Sequence, residues 1–347
     1  MNFKKKIKKV LLASFIVILS TSMVACGKDS TGNKKETAEN ALKVEGTKLV
    51  NSKGEEIQLK GMSSHGLGWF GDYINEESMK YVRDEMGGNI IRLAMYSEGS
   101  GSYTASPNTN KTKVYEGIDK AIELGMYVIV DWHILSDKDP NKYKEEAKKF
   151  FEEVTTKYKD CPNIIYEICN EPNGNNVTWK NNIKPYAEEV IPVIRKEAPN
   201  SIVIVGTANW CQDILDPTND PLEFDNVMYA CHFYSGTHTD WLRERVDAAL
   251  AKGLPIIISE WGTSAADGDG GVFPEETLKW IEFLEERNIS WLNWSLCNKG
   301  EASAALKPSA TFDGKWTDED LSESGRLVKE AMLNGANGLK EYINSSY

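Results

Sequence analysis

The sequence predicts one α/β domain, an eight-stranded (β/α)8 TIM barrel, and three observations support that fold. Eight short apolar runs recur from residue 57 onward, at start-to-start spacings of roughly 25 to 38 residues, which suits a repeating strand–helix unit. The runs are almost continuously apolar, as the strands of a parallel sheet are when both faces are covered. The segments between the runs have helical periodicity, and eight strand–helix units of this size favour a closed barrel over an open dinucleotide-binding sheet.

The predicted strands follow a short N-terminal hairpin, which we expect to cap the bottom of the barrel. Residues 42–61, "LKVEGTKLVNSKGEEIQLKG", are typical of such a hairpin, with its turn predicted at "NSKG". The eight barrel strands are predicted at residues 57–62, 89–96, 126–133, 163–170, 201–207, 226–234, 255–262 and 289–296.

The segments between the runs show the periodicity of amphipathic helices. In "KVYEGIDKAIELG" the apolar residues share one face, and Gly125 stands where the end of a helix favours positive φ. These apolar residues are Val114, Ile118, Ala121 and Ile122. In "PEETLKWIEFLEERN" the inward stripe is predicted at Leu278, Ile281 and Leu284, and "SESGRLVKEAMLNG" predicts the final helix.

The first 26 residues are typical of a secretory signal peptide. A cluster of lysines precedes the apolar run Val10–Leu19, which is short for a membrane span. The segment ends in Val24-Ala25-Cys26, which resembles a bacterial lipoprotein box, so Cys26 is predicted to be the first mature residue and to carry a lipid. The alternative is ordinary cleavage near Ala25, with Cys26 left as a free thiol. Residues 27–41 are polar and aperiodic, which predicts a flexible tether to a single domain at 42–347.

The charge of the chain limits the classes of ligand. Without the five lysines of the leader, 35 Lys and Arg stand against 52 Asp and Glu, a net charge of about −17. This argues against nucleic acid and polyanionic partners and suits an exported monomer that binds a neutral ligand. The cysteines beyond Cys26 form no C-x-x-C pair, so we expect mostly free, buried thiols and neither a metal nor a cofactor.

Residues suited to chemistry concentrate at the ends of the predicted strands, which is where barrel enzymes place their active sites. They are His65, Trp69, Arg92, Tyr96, Asp131, Trp132, His133, Asn170, Glu171, Trp210, His232, Tyr234, Glu260, Trp261 and Trp294. The chain has four histidines, and three of them are in this set. The fourth, His238, falls at a predicted helix start, and we expect it on the surface.

Glu171 and Glu260 end the fourth and seventh strands, which places them across the mouth of a closed barrel. A single glutamate at a strand end is usually a capping or ion-pair residue. Two of them in a cleft of Trp, Tyr and His predict glycoside hydrolysis, which needs a proton donor and a second carboxylate at the sugar carbon. The buried Arg92 requires an anionic partner, and a catalytic carboxylate is the expected one.

The roles of the tryptophans are less uniform. Trp69, Trp210 and Trp294 are predicted to stack on sugar rings, although each has the alternative of a core residue. For Trp132 and Trp261 two positions remain open: in the cleft, or behind the catalytic residues as supporting side chains.

The chain resembles glycoside hydrolase family 5, in its cellulase-type endoglucanase branch. The resemblance rests on "YEICNEPNG", "IIISEWGTS", "GMSSHGLGWFG", "VIVDWHILSDKDPN", "NVMYACHFYSGTH" and "WSLCNKGEASAAL", which follow the family's order over residues 44–333. It implies a retaining endo-β-1,4-glucanase with Glu171 as acid/base, Glu260 as nucleophile and a carboxyl separation of about 5–5.5 Å. The acid is expected to have a raised pKa, and the nucleophile a normal or lowered one.

The resemblance also implies supporting roles for the neighbouring residues. Arg92 would keep Glu260 ionised, Tyr234 would donate a hydrogen bond to it, and Asn170 would bind the sugar 2-hydroxyl. His133 and His232 would fix the −1 sugar and tune Glu171, with Trp294 as the stacking floor. The positions that match contacts to more distant glucosyl units are His65, Trp69, Tyr96, Ala266, Lys299 and Glu301.

Two alternatives stay open from the sequence. The same retaining machinery acts on mannan, xylan or mixed-linkage glucan in similar proteins. A lipoprotein that binds oligosaccharides without cleaving them would share the anchor and the aromatic cleft, but it has little use for paired acids. No carbohydrate-binding module is visible in the sequence, so we expect soluble or amorphous glucan to be the better substrate.

Overall fold

The computed structural model describes residues 41–159 and 161–347. The predicted signal peptide, Cys26 and nearly all of the predicted tether lie outside these described residues. Within them, no helix combines the length and the apolar character needed to cross a membrane.

Eight parallel strands close into a barrel, as the sequence predicts. A hairpin of β1 (Lys43–Glu45) and β2 (Lys48–Val50) precedes them. The barrel strands are β3 (Lys60–Ser64), β4 (Ile90–Tyr96), β5 (Tyr127–His133), β6 (Ile164–Glu167), β7 (Val203–Gly206), β8 (Val227–Tyr234), β9 (Ile256–Gly262) and β10 (Trp291–Leu296). The strands pair in chain order, and β10 closes the barrel against β3.

Helices connect successive strands and surround the barrel. They are α1 (Leu67–Phe70), α2 (Glu76–Lys80), α3 (Pro107–Glu123), α4 (Lys144–Tyr158), α5 (Lys184–Glu197), α6 (Ala208–Cys211), α7 (Asp240–Ala251), α8 (Pro274–Glu286) and α9 (Glu323–Ser346). Short 3-10 and π segments lie at Gly71–Tyr73, Tyr81–Glu85, Pro140–Tyr143, Trp179–Ile183 and Asp216–Asn219.

The core has two layers, as expected when strands are covered on both faces. Apolar residues that point into the barrel, such as Ile129, Ile165, Ile257 and Leu292, form one cluster. The larger cluster lies between the outer face of the barrel and the helices. All four apolar residues predicted for the inner face of α3 are buried there. On α8 the buried set centres on Trp280, while Leu278 is only partly buried.

The hairpin caps the bottom of the barrel, as predicted, but its turn lies earlier in the sequence. Leu49 belongs to the same cluster as the inward-facing strand residues, and the backbone N–H of Val44 donates to Oδ1 of Asn226 at the start of β8. The strands β1 and β2 are joined at Gly46, where φ is +59°. The predicted "NSKG" turn exists at residues 51–54, but only one bridge, Val50 with Glu56, follows it.

Candidate active site

A cleft of about 560 Å³ opens at the carboxyl ends of the barrel strands. The predicted site residues that line it are His65, Tyr96, His133, Glu171, Trp210, His232, Tyr234, Glu260, Ala266, Trp294, Lys299 and Glu301. Three further predicted residues do not line it. Arg92 and Asn170 are fully buried beneath the cleft, and Trp69 stands beside it, edge-on to the Tyr96 ring at 5.0 Å.

Arg92 holds the floor of the site together. Its Nε contacts Oε2 of Glu167 at 2.6 Å, its Nη1 contacts Oε2 of Glu260 at 3.1 Å, and its Nη2 contacts Asn170 and Asp131. Burial alone would lower the pKa of this guanidinium, but the three carboxylates raise it. The side chain is therefore a fixed cation that compensates buried negative charge.

The two predicted catalytic glutamates hold different partners. Oε1 of Glu260 accepts a hydrogen bond of 2.8 Å from the Tyr234 hydroxyl, and its other oxygen faces Arg92. Oε1 of Glu171 lies 2.9 Å from Nδ1 of His232, and burial lowers the pKa of that histidine to about 4. Glu260 is thus bound by donors, whereas Glu171 faces a neutral imidazole.

The spacing of the two acids suits the retaining geometry. A carboxylate oxygen of Glu171, a ring nitrogen of His232 and a carboxylate oxygen of Glu260 all lie within 4.8 Å of one another. Retaining glycosidases separate their carboxyl groups by about 5–5.5 Å, and inverting ones by about 6.5–9.5 Å. The same three residues are the one group of potential metal ligands among the described residues. Glu260 is already bound by Tyr234 and Arg92, as expected for one member of an acid pair.

Burial raises the pKa of Glu171 to about 7, although Arg92 opposes the shift. The expectation of a normal or lowered pKa for Glu260 is wrong, because burial and the nearby Glu171 carboxylate raise it too. Two acids this close cannot both ionise easily, so the first proton goes to one of them. Glu171 is the one that takes it, since Arg92 and Tyr234 stabilise the charged form of Glu260.

A sequence profile described as "Cellulase (glycosyl hydrolase family 5)" matches residues 50–300, most of the chain. The chain belongs to glycosyl hydrolase family 5. The barrel, the acid pair and the buried arginine described above are therefore those of a family 5 protein.

Similar proteins and structures agree with this family. The chain is 58% identical to endoglucanase A of Evansella cellulosilytica over 283 residues, which are 82% of this chain but 58% of that relative. It is 48% identical to an endoglucanase of Clostridium saccharobutylicum, covering 97% of this chain and 74% of the relative. The catalytic domain of Thermobifida fusca endoglucanase Cel5A, solved with cellotetraose, superimposes with a TM-score of 0.81 at 34% identity, covering 85% of this chain and 97% of that domain.

Beside the acid pair of this family 5 chain lies an aromatic wall. Trp294 is nearly parallel to the His133 ring, with centroids 5.3 Å apart, and His65 packs against Trp294 at 5.0 Å. Burial is the main reason that the pKa of His65 falls to about 3, with Lys299 adding to the shift. These three rings pack against one another and line the cleft as an aromatic wall.

Polar groups border the same wall. Nζ of Lys299 lies 2.5 Å from Oε2 of Glu301 and 3.4 Å from Nε2 of His65. The exposed Ala266 is fixed through its backbone N–H, which donates to Oγ1 of Thr237. The Lys299–Glu301 ion pair and the backbone at Ala266 are thus polar groups with which sugar hydroxyls can form hydrogen bonds.

Trp210 stands on the other side of the acid pair, on a strained turn. Asn209, Trp210 and Cys211 all have φ between 53° and 61°, in the left-handed region that side chains normally avoid. Two contacts to the Glu171 segment hold the turn: Trp210 N–H donates to Pro172 O, and Cys211 Sγ lies 3.0 Å from Asn170 O. The turn leaves the indole of Trp210 43% exposed.

The structure corrects the expectation for His238 and limits the one for Asn170. His238 is not on the surface: it is 4% exposed, its Nδ1 accepts from the backbone N–H of Tyr234, and its ring lines the cleft. Asn170 is where it was predicted, but its amide already contacts Arg92, His133 Nε2 and Ile134 O. A bond to a sugar hydroxyl must therefore share the Asn170 Nδ2 group, and that role stays a prediction.

The sequence reasoning gave no role to several residues of the site. Asp131 and Glu167 are buried carboxylates on Arg92, and Ser259 bridges Glu167 to His232. A signal existed for Glu167, because an acid inside the apolar run "IIYEIC" needs a buried cation. Trp241, on the first turn of α7, lines the cleft near Trp210 and had no such signal.

The structure decides the alternative that the sequence left open for Trp132 and Trp261. Trp132 and Trp261 have no exposed surface and pack behind the site, against Phe150 and Phe233 respectively. The buried free thiols are Cys169, Cys211, Cys231 and Cys297.

Proposed function

We propose that this family 5 chain is a retaining endo-β-1,4-glucanase that hydrolyses soluble or amorphous β-glucan by double displacement. The observation that carries the proposal is that a carboxylate oxygen of Glu171 lies within 4.8 Å of one of Glu260, with donors on Glu260 and a neutral imidazole on Glu171. The endoglucanase relatives and the cellotetraose complex of the Thermobifida fusca enzyme support a β-1,4-glucan substrate.

In the first step the glucan lies across the cleft, and Glu260 attacks the anomeric carbon. Glu171 donates its proton to the leaving oxygen, so the bond to the shortened chain breaks as the glycosyl–Glu260 ester forms. Tyr234 and Arg92 orient the Glu260 carboxylate before attack. They also stabilise its negative charge when it leaves in the second step. In the second step Glu171, now ionised, removes a proton from water, which attacks the same carbon and releases Glu260.

Variants of the two acids test the chemistry. Glu171→Gln removes the proton donor and is expected to lower kcat by about 10²–10⁴-fold on cello-oligosaccharides. Glu260→Gln removes the nucleophile and is expected to leave no measurable turnover. Both should still bind oligosaccharide by calorimetry, because the aromatic wall is unchanged. Near wild-type turnover in either variant contradicts the assignment, and binding without turnover in the wild type supports a non-catalytic binder.

A substrate panel tests specificity. Carboxymethyl cellulose and lichenan are compared with galactomannan and xylan at equal concentrations, using reducing-sugar release. We expect the glucans to be hydrolysed fastest. Faster hydrolysis of mannan or xylan than of any glucan would overturn the substrate but not the retaining mechanism.

We further propose that the chain is exported and held at the cell surface as a monomer through a lipid on Cys26, with residues 27–41 as the tether. The basis is the layout of residues 1–26 and the lipoprotein-type sequence at Cys26. Metabolic labelling with a radioactive fatty acid is expected to label the wild type and not Cys26→Ser. Equal labelling of both, or of neither, contradicts the anchor.

A further inference from the structure

The two catalytic acids are joined by a continuous chain of polar contacts inside the barrel. From Glu171 it passes to His232 Nδ1 at 2.9 Å, from His232 Nε2 to Ser259 Oγ at 2.9 Å, and from Ser259 to Glu167 Oε1 at 2.7 Å. Arg92 completes it, between Glu167 at 2.6 Å and Glu260 at 3.1 Å. Ser259 and Glu167 are fully buried, so water does not compete for these contacts.

Counting hydrogens along this chain fixes the direction of each bond. The Ser259 hydroxyl has one hydrogen and two neighbours that can accept it. Glu167 takes that hydrogen, because its second oxygen is paired with the Arg92 cation and the carboxylate is an acceptor only. The Ser259 oxygen can then only accept from His232, so the imidazole hydrogen must be on Nε2.

The consequence reaches Glu171. A neutral imidazole carries one N–H, so Nδ1 of His232 presents a lone pair to Glu171. An ionised Glu171 would place a negative oxygen 2.9 Å from that lone pair, whereas the protonated acid can donate to it. The arrangement therefore favours the form of Glu171 that is needed to protonate the leaving group.

We propose that Ser259 and Glu167 are positioning residues that fix the Nε2–H tautomer of His232 and thereby keep Glu171 protonated before the first chemical step. This proposal rests on the proposed function, since it explains how the acid is prepared. The surrounding charged and titratable groups come from all neighbouring strands and are Arg92, Tyr96, Asp131, His133, Tyr234 and Glu260. Glu260 is the chain neighbour of Ser259, but the hydroxyl of Ser259 hydrogen-bonds to His232 and Glu167 and to none of these six side chains.

The direct test is the tautomer of His232. The wild type is labelled with ¹⁵N-histidine, and the side-chain nitrogen NMR spectrum is recorded at pH 5.5. The chain has four histidines, and the signals that are lost in His232→Asn are those of His232. We expect Nε2–H in the wild type. Ser259→Ala removes the acceptor, and Glu167→Gln lets the amide donate to Ser259, so both are expected to shift His232 toward Nδ1–H. An Nδ1–H tautomer in the wild type overturns the proposal.

The kinetic test uses the same variants. In both variants His232 donates from Nδ1–H to Glu171, which stabilises the ionised form of Glu171. The basic limb of the kcat/KM profile is therefore expected to shift to lower pH by about one pH unit. Aryl cellobiosides with poor leaving groups should slow by about tenfold at pH 7, while a dinitrophenyl leaving group, which needs no proton, changes by less than about twofold. Ser78→Ala is the control, because it removes a buried hydroxyl in α2 far from the cleft.

The outcomes separate this proposal from the proposed function. An unmoved basic limb in both variants, or an equal loss for all leaving groups, shows that Ser259 and Glu167 are merely structural. A wild type that hydrolyses no β-glucan contradicts the proposed function instead, whatever tautomer His232 has.

Discussion

At the scale of single residues, one buried cation organises the chemistry. Arg92 has no exposed surface, yet its three nitrogens contact three carboxylates and the amide of Asn170. A lysine could not reproduce this, because an ammonium is a point donor without the planar fork of guanidinium. The difference between Glu171 and Glu260 follows from which of them Arg92 touches, because it contacts only Glu260 directly.

The protonation of Glu171 sets the expected pH profile. Burial raises the pKa of Glu171 to about 7. Protonated Glu171 is the required acid, so kcat/KM is expected to fall as the pH rises through about 7. At low pH it falls because Glu260 must be ionised to attack. The measurement is kcat/KM for a cello-oligosaccharide from pH 4 to 9, and activity that rises steadily to pH 9 contradicts the role of Glu171.

At the scale of elements, the strands place the acids and the loops shape the cleft. The strand pairing sets Tyr234 beside Gly262 and His232 beside Glu260, so β8 and β9 place Glu260, the proposed nucleophile, beside its hydrogen-bond donor Tyr234. The cleft beyond Trp210 depends on the strained turn of α6 and on the start of α7. Strand ends therefore place the two acids, and the loops after β7 and β8 form the part of the cleft beside them.

Gly262→Ala tests the packing of β9 on Tyr234. A Cβ at Gly262 would lie 2.4 Å from two atoms of the Tyr234 ring, so we expect the ring to shift and its hydrogen bond to Glu260 to be disturbed. Losing a hydrogen bond to an ionised group is expected to lower kcat by about tenfold or more. Tyr234→Phe should lose a similar amount, and the double variant should lose no more than either single one. Additive losses would show that the Gly262 variant acts by another route.

Trp241→Ala tests the loop side of the cleft. Arg245 lies over this ring at 5.1 Å and also contacts Gln212 O and Asp213, which fixes Trp241 relative to the Trp210 turn. The indole is 38% exposed in the cleft, so we expect it to contact the glucan beyond Trp210.

The expected result for Trp241→Ala is a rise in KM of about fivefold to tenfold for cellohexaose, equal to about 1 kcal/mol of lost apolar contact. The KM for an aryl cellobioside should stay the same. Phe312→Ala removes a 58% exposed ring outside the cleft and is the control. An equal rise in KM for both substrates would contradict a separate contact beyond Trp210.

At the scale of the whole molecule, the hairpin that closes the barrel and the two acids lie at opposite ends of the barrel. The hairpin closes the bottom through Leu49 and Leu42, while the acids lie at the top. This separation lets a change at the bottom alter folding without altering catalysis.

Leu49→Ala tests this separation. Leu49 is 3% exposed and packs with the inward-facing strand residues, so its truncation is expected to lower the free energy of unfolding by about 2–5 kcal/mol. The value of kcat at 25 °C should be unchanged. Leu333→Ala, at a 45% exposed position on α9, is the control and should change stability little. A large loss of kcat in Leu49→Ala would contradict the separation.

The barrel was predictable because its signals are periodic and repeated, and each strand matches a predicted run within a few residues. The meeting of Glu171 and Glu260 in one cleft was predictable because carboxylates at strand ends stand out against apolar runs. Features set by three-dimensional contacts were not. The hairpin turn moved to Gly46, His238 became buried against the Tyr234 backbone, and the pKa of Glu260 is raised because Glu171 lies so near.

Retention through the Glu171 and Glu260 pair can be read from the anomeric form of the first product. Cellopentaose hydrolysis is followed by ¹H NMR within the first minutes, before mutarotation mixes the anomers. The short carboxyl spacing predicts that the new reducing end is released as the β-anomer and that the α-anomer grows only later. Release of the α-anomer first would contradict the double displacement.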